Sequence, residues 1–176
     1  MNSLPKPETD GGLRLYRAAV ITLSDKAAAG LRVDESGPVV REIAEKSGFS
    51  VVSAVVLPDE QSLLEAELKR ICDTGIAELA LTTGGTGFSP RDITPEATAA
   101  VAERLAYGIA EAMRAAGLAH TKRAMLSRGI AALRKKTLII NLPGSPKAAR
   151  ESLEAVITEV RHGIDILTGA DSECAR

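Results

Sequence analysis

Short apolar runs and helix-period stretches alternate along the chain. Arg17-Ala18-Ala19-Val20-Ile21-Thr22-Leu23 is nearly continuous in apolar side chains and predicts a buried strand ending at Ser24-Asp25. A helix is predicted over residues 36–46, stopped at Gly48, where glycine accepts a left-handed cap cheaply. A Val-rich strand follows over residues 50–57. Leu63, Leu64, Leu68 and Ile71 recur at helical spacing, which predicts a helix over residues 60–74, with Asp59 as its N-cap and Gly75 as its stop. Residues 78–82 form a third strand that runs straight into a glycine-rich loop. Thr94-Pro95 has the cap and first-turn proline of another helix, and Ala-rich helical sequence continues to about residue 119, with a break near Tyr107-Gly108. A strong strand at residues 136–141 leads through Leu142-Pro143-Gly144-Ser145-Pro146 into a last helix over residues 147–168, ended by Gly169.

Strands alternating with helices predict an α/β domain of three layers, a mostly parallel sheet with helices on both faces. With 176 residues, one domain with one good core is expected, over residues 14–169. Residues 1–13, polar and rich in Pro and Gly, read as a flexible lead-in without the apolar core of a signal peptide, and residues 170–176 as a tail.

Composition narrows the choices. The chain is 45% hydrophobic and 26% charged, hence globular, but only 2% aromatic, so the core must come from Ala, Val, Ile and Leu. A net charge of −1 offers no bulk attraction to nucleic acid or to an anionic membrane, and no run is apolar enough to span a bilayer. Cys72 and Cys174 make neither a metal spacing nor a disulfide framework, which suits a reducing cytoplasm. His120 and His162 lack metal spacing and read as surface or helix residues. Arg134-Lys135-Lys136 reads as a solvated turn.

The chemistry concentrates in Thr82-Thr83-Gly84-Gly85-Thr86-Gly87-Phe88-Ser89-Pro90-Arg91-Asp92. Three glycines permit close backbone approach and an anion-binding nest of N–H groups, the threonine hydroxyls add donors, and Arg91 suits a bidentate phosphate contact. Asp92 repels phosphate unless a cation bridges them, most often Mg²⁺. The loop is neither a P-loop, which needs Gly-Lys-Ser/Thr, nor the dinucleotide fingerprint, since Pro90 stands where that needs Gly or Ala. A plain strand-to-helix turn stays open as the bland alternative, as does capping alone for Asp59 and Ser145-Pro146. In a parallel sheet ligands bind beyond the carboxyl ends of the strands, where Ser24-Asp25, Pro58-Asp59, this loop and Pro143-Gly144-Ser145-Pro146 all fall.

Four motifs together carry a resemblance: Leu57-Pro58-Asp59-Glu60, the stretch from Thr82 to Pro95, Met125-Leu126-Ser127-Arg128, and Asn141-Leu142-Pro143-Gly144. Their order and spacing, over residues 17–167, resemble the molybdopterin adenylyltransferases of molybdenum-cofactor biosynthesis, the MogA and MoaB type, with the related domain of gephyrin. The resemblance implies Mg-ATP-dependent adenylylation of molybdopterin with release of pyrophosphate, in a homotrimer that hands its product to a molybdenum-insertion protein. It implies Asp59 and Asp92 as the catalytic acidic pair, holding Mg²⁺ together with substrate phosphates. Thr83, Gly84, Gly85, Thr86, Gly87 and Arg91 match the nucleotide side; Ser127, with Pro143, Gly144, Ser145 and Ser24, matches the molybdopterin side. Ser24-Asp25 and residues 34–37 resemble the family's first loop, with Lys26 in place of a frequent Arg. A non-catalytic module that only binds molybdopterin, and a trimeric scaffold with a vestigial pocket, are the competing readings.

Overall fold

The computed structural model describes residues 9–10 and 13–170. Of the expected lead-in and tail, residues 1–8, 11–12 and 171–176 lie outside the described residues, Cys174 among them; β1 (Thr9–Asp10) pairs antiparallel with β2 (Leu13–Arg14).

Among the described residues, six strands form the main sheet: β3 (Tyr16–Leu23), β4 (Phe49–Leu57), β5 (Leu79–Thr83), β6 (Arg104–Leu105), β7 (Ala131–Arg134) and β8 (Thr137–Leu142), in the order β4-β3-β5-β8-β7-β6. β4, β3, β5 and β8 are parallel; β7 turns back antiparallel to β8, and β6 is antiparallel to β7. The near-continuous apolar runs of β3, β5 and β8 follow from burial on both faces. Ala18, Val20, Leu79, Leu81, Leu138, Ile140 and Leu142 enter one core with residues of α2 (Ser36–Lys46), α5 (Tyr107–Leu118), α6 (Pro146–Glu154) and α7 (Ile157–Thr168). Their neighbours in sequence, Ala19, Ile21, Leu23, Ala80 and Ile139, enter a second core with α3 (Gln61–Asp73) and α4 (Thr94–Val101). The period-2 alternation of a strand thus divides one apolar run between two layers of helices, and the expected three-layer α/β architecture is observed.

Several expectations change in detail. The cap of α3 is Glu60, without a side-chain cap bond, so Asp59 is not the helix N-cap. Thr94 is the first residue of α4, and its hydroxyl donates instead to the Gly84 carbonyl at 2.8 Å. The Ala-rich stretch breaks earlier than Tyr107-Gly108: Ala102 turns to extended backbone, and β6 joins the sheet edge. The single last helix is two, α6 and α7, separated at Ala155 and Val156; Val156 is buried in the core. Arg134-Lys135-Lys136 is the β7–β8 turn, and Arg134 forks onto Asp73 at 2.7 and 2.9 Å. Cys72 is buried, and burial pushes its thiol up to about 11. No described helix is long and apolar enough to cross a membrane.

The sheet also carries a buried polar knot beneath the site. Asn141, 1% exposed, donates to the hydroxyls of Thr82 (3.0 Å) and Thr98 (2.9 Å) and accepts from the Ile130 N–H at 3.3 Å. Its removal strands two buried hydroxyls and a partly buried N–H, so Asn141→Ala is expected to cost roughly 3 kcal/mol of stability. Urea denaturation checks this; a loss under about 1 kcal/mol would show that the hydroxyls find other partners.

Candidate functional site

All four parallel strands end on one edge of the sheet, and the loops leaving them build the site. Ser24 follows β3 and caps the single turn α1 (Asp25–Ala28), its Oγ accepting the Ala27 N–H at 3.2 Å. Pro58-Asp59 follows β4, the glycine loop follows β5, and Pro143-Gly144-Ser145 follows β8.

The loop after β5 can take its path only with glycine. Gly84 and Gly85 have φ of +101° and +64°, in the region that L side chains avoid. A Cβ on Gly84 would stand 2.3 Å from the Leu23 carbonyl oxygen, and one on Gly85 would stand 2.4 Å from Thr94 Oγ1 and 3.4 Å from Asp59 Oδ1. The loop is therefore packed against the ends of β3 and β4. On its other side the Gly84 N–H donates to the Leu142 carbonyl at 3.2 Å, at the end of β8.

Two cavities share the Gly84–Gly87 stretch of this loop. The first, about 510 Å³, is lined by Ser24, Arg32, Asp34, Glu35, Asp59, Gly84, Gly85, Asp92, Gly144 and Ser145, among others. The second, about 290 Å³, is mainly apolar and is lined by Thr86, Gly87, Met113, Arg114, Ser127, Asn141 and Pro143, among others. The expected site residues are thus divided between two chambers: Gly84-Gly85 faces the acidic one, Thr86-Gly87 the apolar one. Pro143 and Gly144-Ser145 divide the same way. Ser127 sits in the apolar chamber, and Ser24 and Ser145 in the acidic one.

Two expected phosphate contacts are used otherwise. Thr83 is fully buried and its hydroxyl donates to the Pro143 carbonyl at 2.8 Å, tying the loop to its neighbour. Arg91 forks onto Asp25 at 2.7 and 3.1 Å and reaches Glu60 at 3.1 and 3.2 Å. The guanidinium holds the Asp25 carboxyl below its ordinary value. Both histidines are exposed, as expected of surface residues.

Asp59 is half-buried, and that burial pushes its carboxyl above its ordinary value; the Asp25 N–H opposes the shift, while the nearby charges of Asp25 and Asp92 add to it. Asp92 Oδ2 accepts the Ser89 N–H at 2.8 Å. No group of three or more His, Cys, Asp or Glu among the described residues could hold a metal alone. Two carboxylates lining one cavity nevertheless fit Mg²⁺, which is commonly held by one or two carboxylates with substrate phosphates and waters.

Three cations escape the sequence reading. Arg32 lines the acidic cavity and makes no ion pair with the described residues. Arg128 spans the glycine loop: its Nε donates to the Gly87 carbonyl and its Nη2 to the Asp92 backbone carbonyl, both at 2.6 Å, and it pairs with Glu96. Arg114 donates to the Gly129 carbonyl at 2.9 Å beside Ser127. Arg128 stands inside a quoted motif, but nothing in the string shows that its partners are backbone carbonyls 36 and 41 residues away.

Residues 19–162 match the family described as a probable molybdopterin binding domain, and the chain belongs to it. Among its relatives, the molybdopterin adenylyltransferase of Helicobacter pylori is 40% identical over 159 residues, covering 89% of this chain and 90% of that protein. Gephyrin of Dictyostelium discoideum is 40% identical over 158 residues, 84% of this chain but 22% of that longer protein. The crystal structure of the molybdopterin biosynthesis enzyme MoaB from Thermus thermophilus superposes with a TM-score of 0.84 at 44% identity, covering 88% of this chain and 98% of that one.

Proposed function

We propose that this chain is a molybdopterin adenylyltransferase that transfers AMP from ATP to the phosphate of molybdopterin. The observation that carries the reading is the glycine loop shared by an acidic and an apolar chamber, in a chain 40% identical to an enzyme of that name. ATP takes the acidic chamber and the pterin the apolar one. A phosphate oxygen of molybdopterin attacks the α-phosphorus of ATP, the bond from that phosphorus to the bridging oxygen breaks, and pyrophosphate leaves. The attacking phosphate already carries its charge, so no strong general base is required. Positioning and charge neutralisation do the work.

The backbone N–H of Gly85 and the Arg32 guanidinium face the phosphates, while Gly84 fixes the loop by donating to the Leu142 carbonyl; Asp59 and Asp92 would hold Mg²⁺ with the phosphates. When bound, that ion neutralises phosphate charge and stabilises the departing pyrophosphate. Ser127, Thr86 and Pro143 line the pterin side. The chain works as a homotrimer in the cytoplasm and passes adenylyl-molybdopterin to a metal-insertion protein.

The test is pyrophosphate release by the purified protein. Release is expected only with ATP, molybdopterin and a divalent cation together. Tight molybdopterin binding without release would make the chain a binding module instead. Absence of both would leave a scaffold.

A further inference from the structure

We infer that Arg91 and Asp25 form a strut that positions Asp59, and that the adenylyl-transfer site uses Arg91 through this strut rather than as a phosphate ligand. The inference rests on the functional reading above.

Asp25 and Asp59 bind one another through their backbones. The Asp59 N–H donates to Asp25 Oδ1 at 3.0 Å, and the Asp25 N–H donates to Asp59 Oδ2 at 2.9 Å. The ring joins the ends of β3 and β4. It commits one oxygen of Asp59 and leaves Oδ1 on the side of Gly85. Two carboxylates in one ring repel, and the ring survives because the Arg91 fork covers Asp25 through Nε and Nη2 while also reaching Glu60. A lysine, with a single point charge, does not reproduce that planar fork.

The position of Arg91 in the chain makes the strut informative. It is the residue before Asp92, so its side chain ties the loop carrying one acid to the support of the other. Asp59 and Asp92 line the same cavity from different strands, and Arg91 bridges the two loops that present them. Arg32, meanwhile, faces that cavity without an ion pair among the described residues and supplies a cation where the phosphates lie. Arg91, Asp25 and Glu60 are all well exposed, so the cluster contributes little to global stability. Its effect falls on geometry.

A double-mutant cycle with Arg91→Met and Asp25→Asn, read with Arg91→Lys, tests the strut. Each single change is expected to lower kcat about ten- to a hundredfold, as loss of a supporting partner does, while the ATP dissociation constant by calorimetry stays within about twofold. Because both act on one element, the double variant is expected to be no worse than the weaker single. Arg91→Lys is expected to recover part of the loss. A tenfold weaker ATP affinity in Arg91→Met with kcat intact, or losses that multiply in the double variant, would overturn the strut. Exchange of the Asp59 amide proton gives a reading independent of turnover. Protection is expected in the native chain and lost in Arg91→Met; unchanged protection overturns the strut. Absence of pyrophosphate release by the native chain counts against the enzyme alone.

Discussion

Asp59→Asn and Asp92→Asn are each expected to leave the chain folded and to lower AMP transfer by about two to three orders of magnitude, the scale on which preorganised charge acts in a closed site. The substitutions keep shape and remove only the charge. Asn at 59 can still accept the Asp25 N–H, and Asn at 92 can still accept the Ser89 N–H, so the loop bonds survive. Burial already disfavours the ionised form of Asp59, so neutralising it removes a cost in the folded state. Its thermal midpoint should hold or rise. A carboxylate whose charge is disfavoured by burial, yet which lines the cavity where phosphates must be managed, is the pattern expected of a functional group. The measurement pairs thermal denaturation with pyrophosphate release. Near-normal turnover by either variant, at an unchanged midpoint, would sink the two-carboxylate mechanism.

Much of this was legible because strand ends are legible. The runs at β3, β4, β5 and β8 are apolar, of strand length and bounded by turn residues, so both the layers and the edge that gathers the loops could be read from the string. β6 and β7 were not: Arg-Leu and Ala-Ala-Leu-Arg carry little strand signal, and the pairing of β7 to β8 and of β6 to β7 decides them. The division of the last helix is similar, since Ala155 and Val156 are acceptable helix residues and only packing sets the break. At the site, residue types were readable but commitments were not. Arg91 beside Asp92 looks like a phosphate ligand until Asp25 and Glu60 arrive from other strand ends to occupy it. Thr83 looks like a donor to ligand until the Pro143 carbonyl takes its hydroxyl. Asp59 fits an N-cap by pattern, yet its carboxylate faces across to Asp25 rather than along α3. A hydrogen-bonding side chain is claimed by whichever partner the fold brings first, and spacing along the chain does not report that.

Gly84→Ala is expected to be the most damaging single methyl in the molecule. The added Cβ would meet the Leu23 carbonyl oxygen at 2.3 Å, and backbone cannot swing aside as a side chain can. The loop has no free direction in which to retreat. Gly84 donates to the Leu142 carbonyl, its own carbonyl accepts from Thr94 Oγ1, and Gly144 packs so closely that a Cβ on it would stand 3.1 Å from the Gly84 Cα. The backbone φ of +101° adds strain for any L side chain. Together these are expected to cost about 3 kcal/mol or more of stability. Relief must come from moving the end of β3, and with it Ser24, Asp25 and the ring that supports Asp59, so AMP transfer should fall at least about a hundredfold, since a displacement near 1 Å costs that much. Gly163→Ala supplies the contrast. It lies within α7, exposed, with open space around a Cβ and no positive φ, and the change is expected to stabilise the chain by roughly 1 kcal/mol without touching activity. Thermal and urea denaturation of the two variants, with pyrophosphate release measured on each, separates a glycine required by close backbone approach from one that is merely tolerated. Equal stabilities for the two would mean that the Gly84 turn yields more easily than its contacts imply.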